Sequence, residues 1–284
     1  MDWLKRMNDA LSYMEENLGG EISIEKAAQL ACCSQYHLQR MFSYIIGVPL
    51  SEYIRRRRLT KAAFDLQNGD KVIEVARRYG YYSPTAFNRA FQAIHGISPS
   101  AAQRADTALK AFPRVSFQIT VRGVTEMEYR IAEKEEFRVV GIRMKLADDV
   151  EENAGNIMSF WEEAGKKGLL GSIISLINGE PSNLLGLLIN EDGGGYYHIC
   201  AATDMPVPKG MFEVRVPKHT WAIFPGYGKP LSIVEMLRRI YSEWYPTSNY
   251  EFAANIDMEV YLSMSMNPND NIRYEVWMPV VKRN

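Results

Sequence analysis

The stretch ISIEKAAQLACCSQYHLQRMFSYIIG, residues 22–47, has the spacing of two short helices that cross closely at a tight turn. Small alanines fill the first helix where such a crossing needs room, and Leu38 and Phe42 recur at helical spacing toward one core. Ser34 is placed to cap the second helix, because a serine hydroxyl accepts the free N–H groups of a first helical turn. This pattern is typical of a helix-turn-helix unit.

A second copy of the pattern follows about 49 residues later, in VIEVARRYGYYSPTAFNRAFQAIHG at 72–96. Ser83 is the candidate cap, Pro84 suits the first helical position, and Phe87 and Phe91 form the buried side of the helix. An amphipathic helix before Gly19 precedes both units. The spacing then predicts six further helices, near 24–31, 34–45, 49–67, 72–79, 84–95 and 99–105.

The outward faces of both units carry side chains that can read base edges, since Gln pairs with adenine and Arg with guanine in the major groove. A basic helix of about 17 residues between the units is roughly 25 Å long and could act as a rigid spacer. Its arginine run would add affinity for phosphate, with Arg58 the member expected to be structural. The predicted DNA contacts are Gln35, Tyr36, His37, Gln39, Arg40, Thr85, Asn88, Arg89, Gln92, Arg55 and Arg56.

Composition supports two folded domains with different partners. The 284 residues are 46% hydrophobic and 24% charged, close to the average for globular proteins. Residues 1–105 carry a net charge of +4 and the remainder a net charge of −5. Double-stranded DNA is therefore the expected partner of the first part.

The sequence contains none of the usual signals for export, membrane insertion or cofactor binding. Its apolar runs are shorter than a membrane span, no secretory signal opens the chain, and three cysteines form no disulfide framework. We therefore expect a cytoplasmic protein. We expect no cofactor and no metal, because His198 and Cys200 would supply only two of the ligands that a zinc site needs.

Beyond about residue 127 the pattern changes from helical to alternating. Two strands, a helix near 151–168 and two more strands are followed by the same order again, with the second helix at 231–244. The fold class predicted for the chain is thus two domains: an all-α double helix-turn-helix domain, then an α+β domain built from duplicated strand-helix-strand units.

Aromatic residues concentrate in the second domain, and two acids are interleaved among them on predicted strands. Glu259 stands two residues before Tyr261 and Glu275 two before Trp277, so each pair shares a strand face. A carboxylate among aromatic rings can receive a hydrophobic cation. Either acid could instead be a salt-bridged structural residue. The predicted ligand-binding residues are Glu259, Tyr261, Trp221, Tyr227, Trp244, Glu275 and Trp277.

Residues 1–105 resemble the AraC family of transcription regulators. The resemblance implies the helix-turn-helix fold and a DNA-binding role. RNA polymerase is considered separately, as a further partner to be tested. It is carried by Ala28, Ser34, Leu38, Arg40, Phe42, Gly47 and Tyr53, then by Arg58-Leu59, Ala62, Ile73, Ala76, Gly80-Tyr81, Ser83, Phe87, Arg89, Phe91, Gly96, Ser98-Pro99 and Arg104.

The second half is similar to GyrI-like effector-binding domains, in which the glutamate two residues before a tyrosine is the pocket acid. This implies that Glu259 binds ligand. The resemblance rests on the motifs at 225–228, 244–246, 259–261 and 274–280. The expected layout is a DNA-binding domain at 1–105, a linker at 106–125 and an effector-binding domain at 126–284.

The expected function is sequence-specific DNA binding controlled by a hydrophobic small molecule, with a cation as one option. We expect no catalytic residues. Two alternatives stay open at this point: a DNA-tethered hydrolase in which Glu259 and Tyr261 exchange protons with substrate, and a C-terminal domain that binds a protein partner.

Overall fold

The computed structural model describes residues 3–104, 106–118, 126–147, 150–191, 194–265, 267 and 269–283. The chain divides into two compact units. The first contains Met1–Gln39 and Val48–Val121, and the second contains Arg40–Gly47 and Arg122–Asn284. Within the described residues, no helix combines the length and apolar character needed to cross a membrane.

The amino-terminal part of the chain is helical, as predicted. Its helices are α1 (Trp3–Glu16), α2 (Ile24–Ala31), α3 (Gln35–Ile46), α4 (Leu50–Gln67), α5 (Val72–Arg78) and α6 (Pro84–His95). The helix predicted near 99–105 is wrong, since only a 3-10 turn forms at Ala101–Gln103. The Thr107 hydroxyl donates to the Ala101 carbonyl, so a side chain occupies an acceptor that a longer helix would use.

Helix α4 runs through the middle of the first unit, with Leu59, Ala62 and Leu66 fully buried against α5 and α6. The chain that follows the helices also packs here. The side chain of Asn8 in α1 bonds both the N–H and the carbonyl of Phe117, whose ring meets Trp3 edge-on. The described part of the predicted linker, up to residue 118, is therefore held on this unit.

The second unit is an α+β domain. Its strands are β1 (Arg130–Lys134), β2 (Phe137–Lys145), β3 (Leu184–Glu191), β4 (Gly194–Ala202), β5 (Phe212–Val216), β6 (His219–Gly228), β7 (Tyr250–Phe252), β8 (Ile256–Tyr261) and β9 (Ile272–Lys282). Its α-helices are α7 (Val150–Lys166), α8 (Leu169–Ile174), α9 (Ser232–Arg239) and α10 (Tyr245–Thr247), with a π-helix at Ile240–Trp244.

The strands form one sheet in the order β1-β6-β9-β8-β3-β4-β2-β5, and β7 pairs with β9. If β1 is exchanged with β5, β2 with β6, β3 with β8 and β4 with β9, the same order is obtained when the sheet is read from its other edge. The predicted duplication is thus confirmed as an approximate twofold symmetry. The two halves join where β3 pairs with β8, with Gly186 opposite Glu259.

The two faces of this sheet have separate cores. One face buries Leu185, Met258 and Val260 in an apolar cluster. The other face packs against α7 and α8 through Leu184, Leu188 and other side chains. Because neighbouring residues of a strand point to opposite faces, Glu259 lies on the helix-covered face.

Candidate DNA and effector sites

The second helix-turn-helix unit presents an open polar face. The Ser83 hydroxyl caps α6 by accepting the Ala86 N–H at 3.3 Å, and Gly96 ends the helix with a φ of 76°. Phe87 and Phe91 are buried below it. The predicted DNA contacts lie on the opposite side. Of these, Thr85, Arg89 and Gln92 are exposed and Asn88 is half-buried.

The first helix-turn-helix unit differs from the prediction. The Ser34 hydroxyl accepts the His37 N–H at 3.2 Å, as expected of a cap. Gln35 and Gln39 are exposed, but Tyr36, His37 and Arg40 are buried. The expectation that all five side chains are accessible is therefore wrong. Helical spacing reveals one apolar stripe, and it cannot show burial by residues distant in sequence.

The buried Arg40 belongs to the second compact unit of the chain, where its side chain forms an ion pair. Its Nη2 lies 2.8 Å from Asp257 Oδ2, and its guanidinium stacks over the Tyr44 ring at 5.3 Å. A guanidinium held this way does not present its donors to solvent. The proposed base contact of Arg40 stays a prediction, and it would require this ion pair to open.

The arginine run on α4 is not a continuous cationic stripe. Arg55 and Arg56 both pair with Glu52, at 2.6 and 2.5 Å. Arg57 is 9% exposed and pairs with Glu15, and Arg58 donates to the carbonyls of Leu18 and Gly20. The prediction that Arg58 is structural agrees with these bonds. Consecutive helical residues point about 100° apart, so four of them cannot share one face.

Tyr82 was missed by the sequence analysis. It lies directly before the Ser83 cap and is 91% exposed, next to the open face of α6. No local signal in the sequence distinguishes it, because the adjacent Tyr81 lies in the same turn and packs against Phe87 at 5.4 Å. The position of Tyr82 adds a ring to the surface predicted to meet DNA.

The candidate effector site is built around Glu259, which is 6% exposed at the centre of the β3–β8 pairing. Its Oε2 accepts hydrogen bonds from the hydroxyls of Tyr261 at 2.7 Å and Tyr197 at 2.8 Å. The Trp161 indole N–H donates in turn to the Tyr197 hydroxyl at 3.0 Å. These bonds orient one carboxylate among three aromatic side chains.

Burial raises the pKa of Glu259 above its ordinary value, and the hydrogen bonds from Tyr261 and Tyr197 oppose this rise. The charged form is therefore costly at this buried position. A cation placed near the carboxylate would favour that form. Burial and the nearby Glu259 charge also raise the pKa of the Tyr197 hydroxyl well above its ordinary range, so it remains a hydrogen-bond donor.

A small pocket of 80 Å³ is lined by Trp161 and by Tyr261, whose hydroxyl donates to Glu259, and Glu259 itself is not among the lining residues. The Trp161 ring meets the Tyr261 ring edge-on at 4.8 Å on one side of the pocket. Its volume is well below the roughly 300 to 1,000 Å³ of ordinary ligand pockets, so a bulky ligand must displace lining side chains. The lining residues are Met158, Trp161, Glu162, Pro230, Tyr261, Met264, Ser265 and Ile272.

Glu275, Trp277 and Trp221 do not share this site. Glu275 lies opposite Val260, and Trp277 lies opposite Met258, so both project from the face away from Glu259. Trp221 and Trp277 belong to the apolar cluster on that face. Grouping these residues with Glu259 in one pocket was wrong, because only the strand register determines which face each residue occupies.

Glu275 has the bonding pattern of a structural acid. Arg130 Nη1 lies 2.7 Å from its Oε1, and the Trp277 indole donates to its Oε2 at 2.8 Å. This agrees with the salt-bridged alternative considered for it.

Tyr227 and Trp244 also lie outside the pocket lining. Tyr227 is 68% exposed, and its hydroxyl accepts a bond from Asn271 at 3.4 Å. Trp244 is 7% exposed and packs edge-on against Phe224 at 4.9 Å. Trp161 and Tyr197 take their place beside Glu259. They come from α7 and β4, and nothing local in the sequence distinguishes them from the other aromatic residues of the domain.

A second pocket, of 470 Å³, opens at the start of β2. Arg138 and Asp204 line it, and both are already bonded: Arg138 to Glu213 and the Thr203 carbonyl, Asp204 to Asn178. Since its polar groups satisfy one another, this pocket is a weaker ligand candidate than the one lined by Trp161 and Tyr261, despite its larger volume.

Comparison with known proteins matches both halves of the chain. The family of GyrI-like small molecule binding domains matches residues 127–281, and a helix-turn-helix domain family matches residues 27–105. The HTH-type transcriptional activator AarP of Providencia stuartii is 41% identical over 102 residues, which are 36% of this chain and 76% of AarP. The multiple antibiotic resistance protein MarA of Escherichia coli is 33% identical over 94 residues, 33% of this chain and 74% of MarA.

Solved structures resemble each half separately. SAV2435 bound to tetraphenylphosphonium aligns with 55% of this chain and 94% of its own, at 20% identity and a TM-score of 0.48. An AraC-type regulator from Chromobacterium violaceum aligns with 34% of this chain and 88% of its own, at 24% identity and a TM-score of 0.33. From the family and sequence matches, the chain belongs to the GyrI-like small molecule binding domain family and is an AraC-type transcription regulator that joins this domain to a helix-turn-helix DNA-binding domain.

Proposed function

We propose that the small molecule sensed by this regulator is a hydrophobic cation, and that Glu259 is its counter-ion. The observation that carries this proposal is the buried Glu259 carboxylate, held by two tyrosine hydroxyls beside the Trp161 and Tyr261 rings. The carboxylate supplies charge and the ring faces supply cation-π attraction. Apolar lining from Met158 and Ile272 suits a hydrophobic ligand.

The test is calorimetric titration of the full chain with tetraphenylphosphonium, a bulky cation without hydrogen-bond donors. Glu259→Gln keeps the shape and removes the charge, so we expect it to weaken binding by about 1 to 3 kcal/mol. For triphenylphosphine oxide, a neutral aryl compound, the affinity of Glu259→Gln should differ little from that of the parent.

Glu275→Gln is the matched control, since it removes an acid from the opposite face of the same sheet. Its affinity for the cation should equal that of the parent. If Glu259→Gln also binds the cation as tightly as the parent, Glu259 is a structural acid and the proposal is wrong.

We propose binding without turnover. Both tyrosine donors stabilise the charged Glu259 carboxylate, which suits electrostatic attraction, whereas a general base needs access to a substrate proton. Sustained product release from an ester or amide incubated with the protein would instead support the hydrolase alternative.

We further propose that the α6 face, with Arg89 at its centre, reads base edges, and that RNA polymerase is the protein partner at the promoter. Exposure of Thr85, Arg89 and Gln92 supports the first part. Footprinting with and without polymerase tests both, since joint protection extended beyond the regulator's own site is the expected result.

A further inference from the structure

Gly186 lies in β3 directly across from Glu259, where the two halves of the domain meet. A Cβ atom at this position would lie 2.6 Å from Glu259 Oε2 and closer still to the Tyr197 hydroxyl. Contacts under about 3 Å are not compatible with ordinary packing, so the carboxylate and hydroxyl occupy the space that a side chain here would fill.

Backbone geometry does not require this glycine. Gly186 is not among the glycines with positive φ, so an alanine would fit the local backbone. The flanking β3 residues Leu185 and Leu187 are ordinary buried strand residues. Glycine weakens a strand interior, so its use here indicates that space over the strand is needed.

The pairing of β3 with β8 explains why β3 needs a glycine at this position. Residues directly opposite each other on one face of an antiparallel pair have Cβ atoms about 4.5 to 5.5 Å apart. A second side chain opposite Glu259 would compete with its carboxylate for the same volume. The two halves therefore have unequal residues at this point, an acid in β8 and no side chain in β3.

We propose that Gly186 is a positioning residue of the effector pocket: by lacking a side chain it lets the Glu259 carboxylate meet Tyr197 and Tyr261, and so sets the pocket's affinity for hydrophobic cations. This inference rests on the proposed role of Glu259. It predicts that the size of residue 186, which is absent from the pocket lining, controls cation binding.

The test is calorimetry of the full chain with tetraphenylphosphonium, comparing Gly186→Ala with the parent. We expect at least tenfold weaker cation binding, and little change for triphenylphosphine oxide. The control is Gly171→Ala in α8, where an added Cβ meets no atom within 4 Å. Circular dichroism and thermal unfolding check that each variant is folded.

A double-mutant cycle separates positioning from general damage. If Gly186→Ala acts through the carboxylate, it should cost no further cation affinity in the Glu259→Gln background. An equal loss in both backgrounds would overturn the proposal. Parent-like binding by Gly186→Ala, with Glu259→Gln still weakened, would also overturn it and leave the proposed function standing. Parent-like binding by Glu259→Gln alone would instead refute the proposed function.

If Gly186→Ala does not fold, Gly186→Ala combined with Tyr197→Phe removes the atom nearest to the new methyl group, and the remaining contacts under 3 Å are with the ends of the residue 197 and Glu259 side chains. We expect this double variant to fold and still to bind the cation more weakly than Tyr197→Phe alone. Equal affinity of those two proteins would show that residue 186 does not position Glu259.

Discussion

At Glu259, burial and hydrogen bonding shift the pKa of the carboxyl group in opposite directions. Burial raises the pKa of the folded carboxyl above 4.5, whereas the unfolded chain keeps the ordinary value. Between these values the folded protein binds more protons than the unfolded chain, so the free energy of unfolding falls as pH rises through this window. Tyr197 and Tyr261 limit that loss by bonding the charged form.

Cation binding should show the opposite dependence on pH, since only the charged carboxylate attracts the ligand. We expect affinity for tetraphenylphosphonium to increase as pH rises from 4.5 through the raised pKa of Glu259, with a proton released on binding at the lower end of this window. Calorimetry in buffers of different ionisation enthalpy measures that proton. In Glu259→Gln both effects should disappear, and an unchanged pH profile in that variant would assign the proton to another group.

At the scale of single elements, α4 is held in the first unit by a buried ion pair. Arg57 Nε lies 2.8 Å from Glu15 Oε1, and Tyr53 donates to the same oxygen at 2.7 Å. Burial alone would raise the pKa of Glu15, but the bonds from Arg57 and Tyr53 bring the pKa below its ordinary value. The stabilisation is thus present above pH 4.5 and is lost as pH falls through the lowered value.

Arg57→Ala should destabilise the first unit by about 3 to 5 kcal/mol, because it leaves the Glu15 carboxylate buried without its cation. Arg55→Ala on the same helix removes only a half-exposed pair with Glu52, and should cost less than about 1 kcal/mol. Urea denaturation of both variants at neutral pH measures the difference. Equal losses would mean that Arg57 contributes through packing alone.

At the scale of the whole molecule, two helix-turn-helix units on one chain predict two half-sites about one helical turn, near 34 Å, apart. Inserting half a turn of DNA between them should abolish specific binding by the monomer. Footprinting on spaced operators checks this. Undiminished affinity would show that one unit alone reads DNA, and the open face of α6 makes it the candidate.

Both helix-turn-helix units, the duplicated α+β domain and the proximity of Glu259 to Tyr261 could be predicted from the sequence alone. Each depends on local information: Ser83 caps the helix that starts at the next residue, and Phe87 and Phe91 recur within one helix. Strand alternation identified Glu259 and Tyr261 as neighbours because residues two apart always share a face.

The partners of these residues were decided only by the tertiary structure. Strand register places Glu275 opposite Val260 and therefore on the other face of the sheet from Glu259, and a shift of one residue would reverse this. Contacts across the domain bring Trp161 and Tyr197 to the acid from positions 98 and 62 residues away. The need for a glycine at position 186 likewise cannot be seen in the local sequence, because it depends on the Glu259 and Tyr197 side chains that the fold places over this residue.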